Sequence, residues 1–205
     1  MLKYYLSVAL ACVLWFLMFV VKPIDNFWIM MTFSASLLSV ISLSVFRDQL
    51  SLKNFNFKEI SIGIISAVIL YIVFYTGRQM LDLFHIIPDH QQGISNVYAR
   101  PGAIPKWLIG MLLFFPIGFG EEIFWRGFLQ RLMAKHHGQL KAFSLTTFFY
   151  TAVHFPTLNP VLILAAFLVG IFWGLMFIWR GNNIVPVLIS HMVWDPLIFI
   201  ILPVN

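Results

Sequence analysis

The chain alternates long apolar runs with short polar breaks, and this pattern predicts a bundle of membrane-spanning helices. A helix needs about 20 mostly apolar residues to cross a bilayer. The breaks between the runs contain prolines, charges or Gly/Asn, which interrupt a helical pattern. The fifth run is short, so we expect it to be enclosed by other helices or to continue past His154. The seven runs are Tyr4–Val21, Phe27–Phe46, Ile60–Phe84, Lys106–Trp125, Ala142–Phe155, Val161–Trp179 and Ile184–Leu202.

The composition agrees with this interpretation. Hydrophobic residues make up 60% of the 205 residues and charged residues only 10%, with a mean hydropathy of +0.89. Soluble domains carry about 25% charged residues. Cys12 is the single cysteine, which excludes an internal disulfide. We therefore predict an all-α polytopic membrane helical bundle with about seven transmembrane helices, the first of them retained because it has no clear cleavage site.

The distribution of basic residues predicts the orientation. Cytoplasmic loops of membrane proteins are enriched in Lys and Arg, so the net charge of +5 indicates loop charges and no nucleic-acid partner. With the N-terminus inside, four basic residues lie outside: Lys22, Arg78, Arg100 and Lys106. Nine lie inside: Lys3, Arg47, Lys53, Lys58, Arg126, Arg131, Lys135, Lys141 and Arg180. This bias predicts an inner N-terminus.

Several ionisable side chains interrupt the apolar runs. Each carboxylate at the centre of a membrane helix costs about 2.5–3.5 kcal/mol on insertion scales, and such residues usually face a functional cavity. The helical rise places Glu121, His154 and Asp195 about 15, 20 and 17 Å from the inner interface, and His191 about 10 Å. Half of the hydrocarbon thickness is about 15 Å. The similar depths predict that these side chains form one buried catalytic site.

Helical spacing suggests how the site is divided. Glu122 and Arg126 are four residues apart and can pair on one face of the helix. The side chain of Glu121 points about 100° away from that of Glu122 around the helix axis. One carboxylate can thus be anchored while Glu121 is presented to a cavity as a general base. His191 and Asp195 are also four apart, and the carboxylate can orient the imidazole.

Two hydrolytic schemes fit these residues. In the first, Glu121 and His154 activate a water molecule, while His191 and Asp195 stabilise the oxyanion and the leaving group. In the second, both histidines and a carboxylate bind zinc, which activates the water. A His-Glu-x-x-His run is absent. The spacing therefore establishes no cofactor, and zinc stays an alternative.

Other interpretations of the same residues remain open. Glu122 and Arg126 can form a purely structural ion pair, and His154 can be an ordinary core histidine. Buried carboxylates and histidines also occur in proton-coupled transporters, although paired broken segments are not seen. A non-catalytic immunity or scaffold protein is a further alternative. A metal site at His85, Asp89 and His90, in the loop before the motif helix, is another. The stretch 88–106 can form an outer lid or an interfacial segment.

Three motifs resemble those of the CAAX-protease and bacteriocin-processing (CPBP, or Abi) intramembrane proteases. The segment from Glu121 to Arg126 resembles the family's Glu-Glu-x-x-x-Arg. The segment from Tyr150 to His154 resembles its Phe-x-x-x-His, with Tyr in place of Phe, and the segment from His191 to Asp195 resembles its His-x-x-x-Asn/Asp. All three occur in the family's order.

The resemblance implies a helical-bundle endopeptidase whose substrate is a membrane-associated protein or peptide, as in CAAX-type or C-terminal sorting-signal processing. It implies that Glu121 and His154 activate water and that His191 and Asp195 complete the site as oxyanion stabilisers. It divides the chain into N-terminal transmembrane helices with a connecting loop, 1–104, and a catalytic core, 105–205, with four helices. The Trp194-Asp195 ending resembles family members linked to bacterial sorting signals, which suggests the bacterial cytoplasmic membrane.

Overall fold

The regular structure is helical throughout the part of the chain that the computed structural model describes, which comprises residues 2–45, 55–99 and 103–204. The all-α prediction is thus confirmed. The helices in these ranges are α1 Leu2–Phe16 with a wider π-helical turn at Leu17–Val21, α2 Phe27–Val45, α3 Phe57–Phe84, α4 His90–Tyr98, α5 Lys106–His137, α6 Gln139–Ala152, α7 Pro160–Trp179 and α8 Val185–Ile201.

Each apolar run lies mostly on a helix within the described residues, and the protein is a helical membrane bundle. Helices α2, α3, α5 and α7 are long and apolar enough to cross a bilayer, and α1 and α8 are shorter apolar helices. The fifth run corresponds to α6. The short helix α4 lies in the stretch expected to be a lid or an interfacial segment. Three residues of the charge count, Arg47, Lys53 and Arg100, fall outside the described ranges.

One predicted boundary was wrong, and one of the two alternatives for the short fifth run is excluded. Helix α5 does not end at Trp125 but continues to His137, because the charges of the Glu121–Arg126 segment are buried within the bundle and do not mark a helix end. Helix α6 does not continue past His154; it ends at Ala152. The residue before a proline is disfavoured in an α-helix, and Pro156 therefore limits how far α6 can extend.

Close backbone contacts position α5 within the bundle. A Cβ added to Gly120 would lie 2.7 Å from the carbonyl oxygen of Ala35 in α2. Earlier in α5 the backbone is extended at Phe115 (φ −152°, ψ 127°), directly before Pro116, as the steric clash with a proline ring favours. The kink separates the first part of α5 from the part that carries Glu121 and Glu122.

Helix α3 packs along α8 and is connected to α7 by an ion pair. A Cβ added to Gly63 would lie 2.6 Å from the Cβ of Ile189 in α8. Near the start of α3, Glu59 accepts hydrogen bonds from two nitrogens of the Arg180 guanidinium, just after the end of α7. These hydrogen bonds raise the pKa of Arg180, so the guanidinium keeps its charge at neutral pH.

Helix α4 is connected to the end of α8 and to the start of α7. The Tyr98 hydroxyl donates to the Ile198 carbonyl at 3.0 Å and accepts from the Val204 amide at 3.0 Å. Burial raises the pKa of Tyr98, so the hydroxyl keeps its proton near neutral pH. At the start of α7, the Asn159 side chain donates a hydrogen bond to the Gly93 carbonyl of α4 at 2.8 Å.

Candidate active site

A cavity of about 400 Å³ lies inside the bundle, and its walls are mostly apolar. The bordering residues come from α1 to α5, from α7 and α8, and from the end of α6 with its following turn. Against this apolar surface the cavity gathers acidic and imidazole groups from distant parts of the sequence. The predicted site residues that border it are Glu121, His154, His191 and Asp195.

The two adjacent glutamates face different surroundings. Glu121 borders the cavity, and its Oε2 is buried without a hydrogen-bond partner. Glu122 is 0% exposed and lies behind the cavity wall. This divergence follows from the rotation of about 100° per residue in a helix. A carboxylate oxygen without a partner beside a cavity is available to a water molecule or a substrate.

Glu122 holds two other site residues. Its Oε1 accepts from Arg126 Nη1 at 2.7 Å and from His191 Nδ1 at 2.8 Å. Arg126 is 1% exposed; it also donates to the Gly170 carbonyl at 3.3 Å, and its guanidinium lies 4.8 Å from the centre of the Tyr150 ring. The helical spacing predicted the contact with Arg126. The contact with His191 was missed, since nothing in the sequence links residues 69 positions apart.

Both ring nitrogens of His191 face carboxylates. In addition to the bond from Nδ1 to Glu122, Nε2 lies 3.3 Å from Asp195 Oδ2. The structure thus pairs His191 with Asp195, as their spacing suggested, but adds a second carboxylate that the spacing did not indicate. His191 is 3% exposed. The imidazole therefore has a carboxylate at each of its two nitrogens.

His154 lies in the turn after α6, and its tautomer follows from its hydrogen bond. Its Nδ1 lies 2.8 Å from the Tyr150 carbonyl oxygen, so Nδ1 donates and, in a neutral ring, Nε2 carries the lone pair. Aromatic rings of α1 pack around this imidazole, with ring centres at 6.5 Å for Trp15 and 5.8 Å for Phe19. The N-terminal helix therefore helps to position a predicted catalytic residue.

The donor set does not fit a metal ion as it is arranged here. In the described ranges, no group of three or more His, Cys, Asp or Glu side chains is placed to hold a metal. In the cavity, the nitrogens of His191 face Glu122 and Asp195. In the alternative site before α4, His90 is directed to Asp82 at 2.8 Å and to the Ile87 carbonyl at 3.1 Å.

The comparisons with known proteins bear on the segment that carries these side chains. Residues 103–197 match the family model described as "Type II CAAX prenyl endopeptidase Rce1-like". The match covers a little under half of the chain and includes all six predicted site residues. Searches of curated proteins and of solved structures found no match. The matched family indicates an intramembrane protease. The match of residues 103–197 agrees with the resemblance to the CPBP family.

Proposed function

We propose that this protein is an intramembrane endopeptidase that hydrolyses a peptide bond with water activated by Glu121 and His154. The observation that carries the proposal is the cavity, where acids and imidazoles from distant parts of the chain meet against an apolar wall. Groups of this kind in a membrane interior are functional by default. The family match of residues 103–197 supports the same reaction class.

The first step is the attack of water on the scissile carbonyl carbon. Glu121, whose Oε2 has no other partner, takes the proton of the water, while His154 hydrogen-bonds to the same water through Nε2. The C–O bond forms and the carbonyl π electrons move to oxygen. The tetrahedral oxyanion is stabilised by hydrogen-bond donors aimed at it. We assign this role to His191 at the cavity wall, whose Nε2–H would be shared between the oxyanion and Asp195, 3.3 Å away.

The second step breaks the C–N bond. Glu121 returns its proton to the leaving amine, which departs as the oxyanion collapses to a carboxylic acid, so that one water is consumed for each bond cleaved. Asp195 acts through His191 by holding its Nε2 side. Glu122 and Arg126 do not border the cavity. We assign them as positioning residues that hold His191 and α7 in place.

The substrate class follows from the walls. An apolar cavity inside a membrane bundle suits an unwound peptide segment of a membrane-associated protein that enters from the lipid side, with its scissile amide at Glu121. Both CAAX-type processing and removal of a C-terminal sorting signal are compatible with this class. The tyrosine at position 150 adds a hydroxyl beside Glu121, which can donate to the carboxylate or to the substrate.

We further propose how the chain is divided and oriented. All the chemical groups lie in a catalytic core, 105–205, and the N-terminal part, 1–104, supplies walls of the cavity. The charge bias favours an inner N-terminus in the bacterial cytoplasmic membrane. Because Arg126 is buried in the site, it no longer counts as an inner loop charge. Without Arg126, the count falls from nine to eight basic residues on the inner side, compared with four on the outer side.

The test compares E121Q with the wild type in cells that otherwise lack the gene. The C-termini of membrane and secreted proteins are compared by mass spectrometry. We expect cells that express the wild type to contain C-terminal fragments that are missing from cells that express E121Q. E59Q is the control, since Glu59 is a buried glutamate paired with Arg180 outside the cavity. A protein whose E121Q variant yields the same fragments or the same phenotype is a scaffold or a transporter, and the proposal is then wrong.

A further inference from the structure

The indole of Trp173 lies flat against the imidazole of His191. The ring centres are 3.8 Å apart and the ring planes differ by 19°. Trp173 is 0% exposed and comes from α7, whereas His191 comes from α8. Aromatic rings stacked at this distance exclude water from the covered face and restrict rotation of both rings. None of the three motifs includes Trp173.

The indole is itself held in place by its neighbours. Its Nε1 donates to the Ser190 hydroxyl at 3.1 Å, and Ser190 directly precedes His191 in α8. The Trp194 ring meets it edge-on at 5.6 Å, and the Arg126 guanidinium carbon lies 5.6 Å from its centre. A tryptophan with a satisfied N–H and packed neighbours has one orientation. Its plane can therefore determine the orientation of a second ring.

The hydrogen bonds of His191 leave one degree of freedom that the stack removes. Glu122 and Asp195 contact the ring at its two nitrogens. Such contacts fix the direction of the ring but resist only weakly a rocking motion about the line joining the nitrogens. A flat surface at 3.8 Å opposes that motion. The position of a donor relative to a developing oxyanion depends on this tilt.

We propose that Trp173 is a positioning residue that fixes the tilt of the His191 imidazole toward the cavity, with Ser190 holding the indole. The proposal rests on the proposed function in so far as His191 takes part in hydrolysis. It differs from an ordinary core role, in which Trp173 would stabilise the bundle but would leave the ring of His191 unaffected. The two roles can be separated by spectroscopy together with kinetics.

The spectroscopic test uses the full-length protein with isotope-labelled histidine in lipid nanodiscs. The His191 ring protons are assigned by their absence in H191Q. Because they lie over an indole face, we expect them upfield of the other histidine signals in the wild type. We expect W173L to lose this upfield shift and W173F to keep most of it. F177L, one turn further along α7 and equally buried, removes core volume and is expected to leave the His191 signals in place.

The kinetic test uses a cleavage product identified with the E121Q comparison. A small misplacement of a catalytic group can cost about 100-fold in rate. We therefore expect W173L to lower kcat by roughly 10- to 100-fold with KM within about twofold, and W173F and S190A to lower it by less than about fivefold. A drop in F177L equal to that in W173L would instead indicate general loss of packing and would overturn the proposal.

The two proposals fail in different ways. If the His191 ring signals of the wild-type protein show no upfield shift, the stacking proposal is wrong. This outcome does not depend on whether any Trp173 variant folds. Unchanged His191 signals in a folded W173L overturn it as well. Full cleavage by H191Q or E121Q overturns the hydrolytic role, whatever the spectra show. An upfield shift lost in W173L together with an unchanged kcat shows that the stack exists without positioning a catalytic group, which also contradicts the inference.

Discussion

At the scale of single residues, two neighbouring glutamates have opposite relations to their surroundings. Glu122 lies outside the cavity lining, and its Oε1 accepts from Arg126 and His191, whereas Glu121 borders the cavity. Each of the two has an Oε2 without a hydrogen-bond partner, but only that of Glu121 belongs to a residue of the cavity wall. We therefore assign a stabilising role to Glu122 and a reactive role to its neighbour Glu121. A buried carboxylate that stabilises the fold needs a counter-charge, while one that reacts must be accessible to water or substrate.

This difference predicts opposite effects on stability. Replacing Glu122 by Gln leaves the buried Arg126 without its counter-charge, and breaking a buried ion pair costs about 3–5 kcal/mol. We expect E122Q to lower the unfolding midpoint in detergent micelles clearly, while E121Q leaves it unchanged or raises it, because no ion pair is broken.

The matched control for this prediction removes both partners. Since replacing both members of a buried pair by apolar groups is often neutral, E122M combined with R126M is expected to recover part of the stability lost in E122Q. Equal destabilisation by E121Q and E122Q would contradict the assignment of Glu122 as the paired carboxylate.

At the scale of helices, the position of the site depends on how closely α5 approaches α2. The Gly120 Cα faces the Ala35 carbonyl, and an added Cβ would be 2.7 Å from that oxygen, which is backbone and cannot rotate away. The helix that carries both glutamates can reach this depth only with glycine at the crossing. The family motif begins at the next residue.

We expect G120A to destabilise the protein by about 1–3 kcal/mol, the usual cost of overpacking a core. G77A in α3 is the control, because an added Cβ there meets nothing within 4 Å, and alanine gains up to about 1 kcal/mol of helix propensity over glycine. Unfolding midpoints of the two variants measured in the same detergent check the expectation. A G120A variant as stable as G77A would show that α2 and α5 are not in close contact there.

The extent to which the sequence predicts this site depends on the type of contact. Residues four apart on one helix, such as Glu122 with Arg126 and His191 with Asp195, could be paired from spacing alone. The contacts of His191 with Glu122 and Trp173 could not, because they depend on how α5, α7 and α8 cross. Helix ends were also poorly predicted where a buried charge resembled a polar break, as for Arg126 in α5.

At the scale of the whole molecule, the cavity is shared by both parts of the chain. The chemical groups come from α5, α8 and the α6 segment with its following turn, while α1 contributes Trp15 and Phe19 to the surroundings of His154. The N-terminal helices are therefore not a separate anchor. Changes in α1 are transmitted to the site through aromatic packing.

The orientation of the bundle can be tested with single cysteines. In a C12S background, Asp25 between α1 and α2 and Gln139 at the start of α6 are both exposed. With an inner N-terminus, we expect a membrane-impermeant maleimide added to intact cells to label D25C and not Q139C. Disrupted cells, in which both are expected to react, provide the control. The reverse pattern on intact cells would place the N-terminus outside.

The hydrogen bond between Asn159 and Gly93 has a mechanical consequence. Asn159 also caps α7 through its Oδ1, and it lies five residues after His154 in the same short connection. Because α4 also borders the cavity, we expect any displacement of α4 to pull on the loop that holds His154. If the protein has the proposed function, we therefore expect variants of α4 to alter substrate affinity and turnover together.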